Sequence, residues 1–368
     1  MWGLMMKLWL GFLMCMSSAL SAQTSVSGGK QSLDPQKTDL PSLKVDFSSP
    51  NTDSPLNLPS AAVNGPPVCN TDGLAFFQFL TPPPYYNKKH VYSVSADGKV
   101  VNYPVDQITG LTNSWVIFSD PGLTNAVILF HAKKVGAAAA SPDLYYMALF
   151  DYDGKLRDYT DLDLGFEPIQ ALQLSDDRFL VSGSDVARAR LRFVVIDSAG
   201  TVIRELSPLI FLPGDADLRE MLGSINSVNG AGINPSDLPV PQRLSLTISL
   251  FRPVHSDRAL LILEPGSVPR VIEISRAGES RVVKLTLPPN QIANSLLTTK
   301  GRWFLRTAVQ GSNTQWNLLE IDPTSGQTLR WIDTSGVPAS SIACATGSGF
   351  LAMRWLDHKP YLLDGTFK

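Results

Sequence analysis

The sequence has few cysteines, few charged residues and no long hydrophobic run. Its 31 basic and 33 acidic side chains nearly cancel, so it lacks the basic excess with which nucleic-acid binders neutralise phosphates. No segment approaches the roughly 20 consecutive apolar residues that a membrane-spanning helix needs. We therefore predict neither a nucleic-acid partner nor a transmembrane segment. The hydrophobic fraction of 44% is typical of a globular domain with a packed core.

The common catalytic motifs are also missing. The chain contains no G-x-S-x-G nucleophile elbow, no H-E-x-x-H, no Walker loop, no C-x-x-C and no S-x-D-x-G-x-T-W box. Each of these motifs places a nucleophile, a metal ligand or a phosphate-binding backbone at a defined turn or helix. The sequence alone therefore leaves open whether the protein is an enzyme.

Residues 1–22 have the layout of a secretory signal peptide. Lys7 is their only charged side chain, an apolar run covers residues 8–16, and small residues follow. This order predicts export, to the periplasm or the extracellular space. Lipidation at Cys15 is the alternative, but Met14 before it is bulkier than lipoprotein processing normally accepts.

Residues 23–65 are rich in Ser, Pro, Asp, Asn and Thr, and we interpret them as a low-complexity linker. One part of the linker differs. Leu43, Val45 and Phe47 alternate with polar residues, a pattern typical of a single strand.

A hairpin pattern recurs from residue 66 to the C-terminus. Alternating apolar runs flank a short turn, as in VYSVSADGKVV at 91–101 and LRFVVIDSAGTVI at 191–203. Such turns need a positive φ, which glycine adopts without steric cost. The glycines predicted to occupy these turns are Gly98, Gly154, Gly200, Gly278, Gly326 and Gly365.

These glycines lie 39 to 56 residues apart, except for one interval of 78. The spacing suits one four-stranded unit per repeat. The repeated hairpins with their glycine turns resemble NHL-type and quinoprotein-like β-propellers. The resemblance implies an all-β fold, a β-propeller of six blades of four antiparallel strands, over residues 66–368. A β-sandwich is the alternative, but it does not explain self-similarity at this period.

The last repeat is one strand short, and the segment 43–47 is predicted to donate the missing strand. Such a donation removes an unpaired sheet edge. Cys69 and Cys344 fall at corresponding places on the innermost strands of the first and last repeats, which are neighbours in a closed ring. We therefore hypothesise a Cys69–Cys344 disulfide in the exported protein. The alternative is two separately buried thiols.

The interval of 78 residues is explained by an insertion at 207–243. Within it, DADLREML at 215–222 begins with Asp215, a residue type that caps helices, and predicts a short helix. The insertion is interpreted either as a flap packed on the rim or as a lid or partner-binding element over the axial channel.

Loop lengths predict two unlike faces. The first-to-second and third-to-fourth strand turns are short and define the tight-turn face. The long loops at 81–90 and 131–143 and the insertion lie on the opposite, long-loop face. Long loops on a rigid scaffold are where binding surfaces usually develop.

Two candidate sites lie on the long-loop face. Near the axis, one carboxylate and three amides precede or begin inner strands, and such oxygens suit Ca²⁺. This position resembles that of calcium-dependent lactonase-type propellers, although no matching motif surrounds it. Ordinary turn formation is the alternative for these residues. The axial candidates are Asn113, Glu167, Asn290 and Asn294.

The second candidate is a basic and aromatic patch for an acidic or sugar-like partner, with ordinary solvated loop as the alternative. Three of the four histidines, His90, His131 and His358, also fall near long loops, too far apart to share a metal, and His255 is predicted in a turn on the opposite face. The patch comprises Tyr85, Tyr86, Lys88 and Lys89, with Lys133 and Lys134 beside it.

The resulting functional prediction is an exported, non-catalytic propeller that binds a ligand or a protein partner through its long-loop face. The alternative is a calcium-dependent, lactonase-type hydrolase with its site in the axial funnel. The first requires no cofactor, whereas the second requires Ca²⁺.

Overall fold

The fold is described from a computed structural model of the chain. The structure describes residues 40–48, 55–59, 63, 67–80, 89–206, 238–264, 268–312, 315–357 and 359–368. The signal segment, Tyr85, Tyr86, Lys88 and the predicted helix at 215–222 lie outside these residues.

Four separate sheets each contain four consecutive antiparallel strands, which we number I to IV along the chain. Sheet I consists of β2 (Val68–Cys69), β3 (Ala75–Leu80), β4 (Lys89–Val94) and β5 (Val100–Asn102). Sheet II consists of β6 (Leu111–Asp120), β7 (Ala126–Lys134), β8 (Leu144–Phe150) and β9 (Leu156–Asp161). Sheet III consists of β10 (Glu167–Ser175), β11 (Arg178–Asp185), β12 (Arg190–Asp197) and β13 (Val202–Leu206). Sheet IV consists of β14 (Arg252–His255), β15 (Ala259–Glu264), β16 (Arg270–Ser275) and β17 (Ser280–Lys284).

A fifth sheet has eight strands, in the order β18-β19-β20-β21-β1-β24-β23-β22. Its first four strands are β18 (Gln291–Thr299), β19 (Arg302–Val309), β20 (Trp316–Ile321) and β21 (Thr328–Asp333). The others are β1 (Ser42–Ser48), β22 (Ile342–Ala345), β23 (Gly349–Leu356) and β24 (Lys359–Phe367).

The prediction of six separate four-stranded blades is therefore wrong in one respect, because β1 joins two sets of strands into one sheet. The N-terminal half of β1 pairs in parallel with β21, with Ser42 opposite Trp331. Its C-terminal half pairs antiparallel with β24, with Val45 opposite Phe367. The predicted strand donation to the last repeat is present, and the pairing with β21 is an additional contact that the sequence pattern did not indicate.

The sheets form a propeller-like arrangement, which confirms the predicted all-β class. Their first strands contact one another, as in β2 with β6, β6 with β10, β14 with β18, and β22 with β2. Hydrophobic clusters fill the spaces between facing sheets, for example between sheets I and II around Phe76 and Phe130. Another cluster, around Phe79 and Leu351, lies between sheet I and the last three strands. The C-terminal strands therefore pack back against the first sheet.

Five of the six glycines predicted at turns occupy them. Gly98, for example, has a φ of +83°, and its amide donates to Ser95 O. Gly365 was wrongly placed, because it lies inside the continuous strand β24 opposite Phe350 and Phe47. A Cβ on Gly365 would lie 2.5 Å from the Phe47 ring, so the strand needs glycine there for close packing. The other turn glycines with positive φ are Gly154, Gly200, Gly278 and Gly326.

One α-helix and three short 3-10 helices accompany the strands of the described chain. The helix, α1 (Val240–Leu250), lies between sheets III and IV, where Ile248 and Phe251 enter the core and Leu244 packs against it. It begins inside the predicted insertion at 207–243. The 3-10 helices are Val105–Gln107, Val186–Arg188 and Ala339–Ser341.

The Cys69–Cys344 disulfide hypothesis is confirmed, since the two residues are bonded with their Cα atoms 5.7 Å apart. Both side chains are buried. The bond ties β2, the first strand of sheet I, to β22 of the last repeat, 275 residues away in sequence.

Candidate functional site

The predicted axial residues lie at the starts of first strands, on the long-loop face. Asn113 lies near the start of β6, where the pairing with β7 is irregular, and Asn290 immediately precedes β18. Both have a positive φ, of 54° and 62°. Glu167 opens β10. Asn294 lies at a β-bulge in β18, between Ala293 and Ser295.

Of this set, Glu167 makes its side-chain hydrogen bond to Tyr145 of β8, a residue that the sequence reasoning did not single out. Glu167 is exposed as a residue, but the protein around its carboxyl group removes water and thereby raises the pKa of Glu167. The hydrogen bond from Tyr145 lowers this pKa and offsets part of the rise. Burial, followed by the charge and the hydrogen bond of Glu167, raises the pKa of Tyr145.

We expect Tyr145→Phe to raise the pKa of Glu167 further, because the substitution removes the hydrogen bond that stabilises the carboxylate. A carboxyl group whose pKa is raised in the folded state stabilises the fold at low pH, and this contribution is lost as the pH rises through its folded pKa. Carbon NMR of the Glu167 carboxyl group during a pH titration measures the change. Tyr159→Phe, at an exposed tyrosine of the same sheet, is the control, and an unchanged Glu167 pKa in Tyr145→Phe contradicts the expectation.

The axial set does not resemble an assembled calcium site. It offers one carboxylate, and that carboxylate is hydrogen-bonded to a tyrosine. No group of three or more His, Cys, Asp or Glu side chains that could hold a metal ion occurs in the described part of the chain. Calcium binding stays a prediction.

The predicted basic patch is described only in part. Lys89 begins β4, whereas the other three patch residues lie outside the described ranges. Both lysines beside the patch have acidic neighbours: Lys133 Nζ lies 4.0 Å from Asp143 and Lys134 Nζ lies 3.8 Å from Asp161.

An aromatic row crosses sheet II near the long-loop face. Trp115, His131 and Tyr145 are direct neighbours across β6, β7 and β8. The His131 ring stacks on Trp115 with centroids 5.9 Å apart, and its Nδ1 lies 3.1 Å from Asp143 Oδ2. Sequence reasoning noted His131 only as a loop histidine, because the strand register that aligns the three rings was not known.

The first strands line an axial cavity of about 240 Å³. Apolar side chains and a few polar ones form its described wall, and the wall includes residues from β2, β6, β10, β14, β18 and β22. Several of these strands carry a β-bulge. A bulge changes the direction of a side chain from the one that it would have in a regular strand. Ile117, Ile169 and Ala343 are bulge residues that line the cavity.

Arg306 is the one charged side chain among the described lining residues. It belongs to the second strand β19, opposite Ser295 of β18, and it is 6% exposed. Its Nη2 donates to the backbone oxygen of Ile342 at the start of β22. Ser295 also lines the cavity, is 9% exposed, and its hydroxyl has no hydrogen-bond partner among the described residues.

A buried polar network lies at the other end of the first strands, on the tight-turn face. His255 Nε2 lies 2.7 Å from Asp120 Oδ2, and the same oxygen accepts from the backbone N–H of Gln173 at 2.9 Å. Thr298 Oγ1 donates to His255 O. These four residues come from the ends of β6, β10, β14 and β18, and each is less than 5% exposed. His255 lies on the predicted face, but its burial and its pairing with Asp120 were not predicted.

Comparisons with known proteins assign no family. No protein-family model matches the chain, and no curated protein matches it. Among solved structures, a puromycin hydrolase is similar at 15% identity over 81% of this chain, with a TM-score of 0.37. A Trypanosoma rangeli sialidase is similar at 11% identity over 87%, with a TM-score of 0.40. The WD40 domain of Neurospora crassa Pan2 is similar at 9% identity over 87%, with a TM-score of 0.36.

The chain spans 42% of the puromycin hydrolase, 58% of the sialidase and 94% of the Pan2 domain. Similarities this distant leave its function to be argued from its own residues. In the part of the chain that the structure describes, no helix is both long enough and apolar enough to cross a membrane. The strand topology and the cavity together define an all-β protein with a propeller-like ring of sheets and an axial cavity.

Proposed function

We propose that the protein is an exported, non-catalytic propeller that binds a small ligand in its axial cavity, with entry from the long-loop face. The observation that carries the proposal is the cavity itself, whose wall is built from the first strands of all the sheets. Concave, mostly apolar cavities with a few placed polar groups are the usual form of small-molecule sites.

The proposed direction of entry is supported by the polar network of Asp120, Gln173, His255 and Thr298. These buried groups occupy the tight-turn ends of the first strands, so water does not reach them from that face. Entry from the opposite face fits the uneven loop lengths of the sequence. A protein or carbohydrate partner on the same long-loop face remains part of the proposal.

We further propose that the ring has six blades, with the eight-stranded sheet counted as two. Leu297 and Phe304 of its first half pack against Ile342 and Phe350 of its second half, with Val45 of β1 in the same cluster. Neighbouring sheets elsewhere in this chain also meet through packing between facing strands. The two halves of the eight-stranded sheet therefore correspond to two blades, and β1 connects them.

The non-catalytic assignment is supported by the chemistry of the cavity wall. Among the described lining residues there is no Asp, Glu or His, and Cys69 is held in the disulfide. A serine there would lack the adjacent base that activates it as a nucleophile. The lactonase-type alternative would need a bound cation near Glu167, whose hydrogen bond goes to Tyr145.

Export is supported by the signal layout of residues 1–22 and by the disulfide. Stable disulfides form in oxidising compartments and are rare in the cytosol. We therefore propose a periplasmic or extracellular location.

The test of cavity binding uses two small probes, 4-fluorobenzoate and 4-fluorobenzamide, followed by fluorine NMR. Cavities of about 150 Å³ hold a benzene ring, so both probes fit in the available space. We expect at least one to bind the full chain with a dissociation constant in the millimolar range or tighter, at roughly 0.4 kcal/mol per non-hydrogen atom.

Ile169→Trp should abolish this binding, because Ile169 lines the cavity and is only partly buried. Val282→Trp, on the exposed face of β17, is the matched control and should bind as the wild type does. Binding of neither probe to the wild type, or equal binding to Ile169→Trp, overturns cavity binding.

A further inference from the structure

The described wall of the axial cavity carries one positive charge and no negative one. Arg306 supplies the charge, and the other polar side chains of the described wall are Gln78, Ser119, Gln170 and Ser295. Gln78 and Ser119 bond to each other at 2.9 Å. Gln170 accepts from Ser182 and donates to the backbone of α1. These three neutral side chains are therefore engaged within the fold.

Ser295 differs from them. Its hydroxyl is buried at the cavity wall without a hydrogen-bond partner among the described residues. A buried polar group left in this state destabilises the fold, because it has lost its hydrogen bonds to water. The register places Ser295 directly opposite Arg306, and both residues line the cavity, so a hydroxyl donor and a positive charge belong to the same part of its wall.

Building on the proposed axial binding, we propose that the ligand is a small organic carboxylate with an apolar body. Its carboxylate would lie against Arg306 and Ser295, and its body against Ile169, Phe251 and Leu296. A guanidinium presents planar N–H donors whose geometry matches a carboxylate. The Ser295 hydroxyl would gain the acceptor that it lacks.

Arg306 also makes contacts elsewhere in the fold, including its bond to Ile342 O. The proposal therefore rests on the position of its charge at the cavity wall and on the adjacent Ser295 hydroxyl. The bulge at Asn294 lies immediately before Ser295 in β18. The predicted axial residue Asn294 thus marks the irregular part of the strand that presents the proposed site.

The test compares 4-fluorobenzoate with 4-fluorobenzamide, which has nearly the same shape and no charge. Hydrogen bonds to a charged group are stronger than those to a neutral one, so we expect the full chain to bind the benzoate about tenfold more tightly or better. Arg306→Gln should remove this preference, Arg306→Lys should retain part of it, and Ser295→Ala should weaken benzoate binding several-fold with little effect on the benzamide.

Thermal unfolding shows which variants are folded, and the wild-type preference and Ser295→Ala decide the question if Arg306→Gln does not fold. Equal binding of the two probes by the wild type overturns the carboxylate proposal and leaves cavity binding standing. A benzoate preference that persists in folded Arg306→Gln also overturns it. Binding of neither probe overturns the proposed function itself.

Discussion

Replacing both Cys69 and Cys344 by alanine lowers the free energy of unfolding by about 5–6 kcal/mol in the chain-entropy model of disulfides. The expected effect is large because the bond joins residues 275 positions apart, so the loop that it closes in the unfolded chain contains most of the protein. Chemical denaturation of the oxidised protein and of the double variant measures the difference.

The single variants provide the control. If the bond is the main source of stability at this site, Cys69→Ala and Cys344→Ala each cost nearly as much as the double variant, since either one removes the whole cross-link. Two independently packed thiols would instead give costs that add. Additive costs, or an unfolding midpoint that does not respond to reductant, would contradict a stabilising role for the disulfide.

The pattern of apolar residues and glycine turns predicted the strand repeats, because alternation with a period of two determines which side chains face a neighbouring sheet. It also located the disulfide, since corresponding positions in the first and last repeats are close when a ring closes. Gly365 shows the limit of this reasoning. The same Asp-Gly pair that marks a turn at Gly98 lies within a strand at Gly365, where the Phe47 ring occupies the space of a side chain.

Helix α1 was not predicted because its sequence alternates. Residues 244–250, LSLTISL, repeat apolar and polar positions with a period of two, a pattern that favours a strand. The structure instead uses Leu244 and Ile248, four positions apart, as one face packed toward the core. Tertiary packing between sheets III and IV determines that this segment is a helix, and the local sequence pattern does not indicate such packing.

The candidate site was predicted only in outline. Strand starts on the long-loop face were identified as an axial position, and Asn294 does adjoin the cavity residue Ser295. Arg306 was missed because it lies on a second strand, where an isolated basic residue gives no local signal. The pair Asp120–His255 was missed for a similar reason, because 135 residues and one intervening sheet separate its members.

The strand β1 provides the second large expected effect, through its buried residue Val45. We expect Val45→Asp to destabilise the protein by about 4 kcal/mol or more, because it places a carboxylate in the buried apolar cluster of Phe304, Ile332 and Phe350. Loss of β1 would also expose the edges of β21 and β24, and unpaired edges promote association between chains. Denaturation and light scattering measure the two consequences.

Lys44→Gln is the matched control, because Lys44 is an exposed neighbour in the same strand and its replacement should leave the midpoint nearly unchanged. A peptide of residues 40–48 added to Val45→Asp should pair with β24 in place of the altered strand and raise the midpoint, whereas the same peptide carrying aspartate at position 45 should not. Rescue by the first peptide alone would show that β1 acts as a docked strand, since the peptide is not joined to the rest of the chain. If Val45→Asp remains monomeric and as stable as Lys44→Gln, β1 does not hold the two halves of the eight-stranded sheet together.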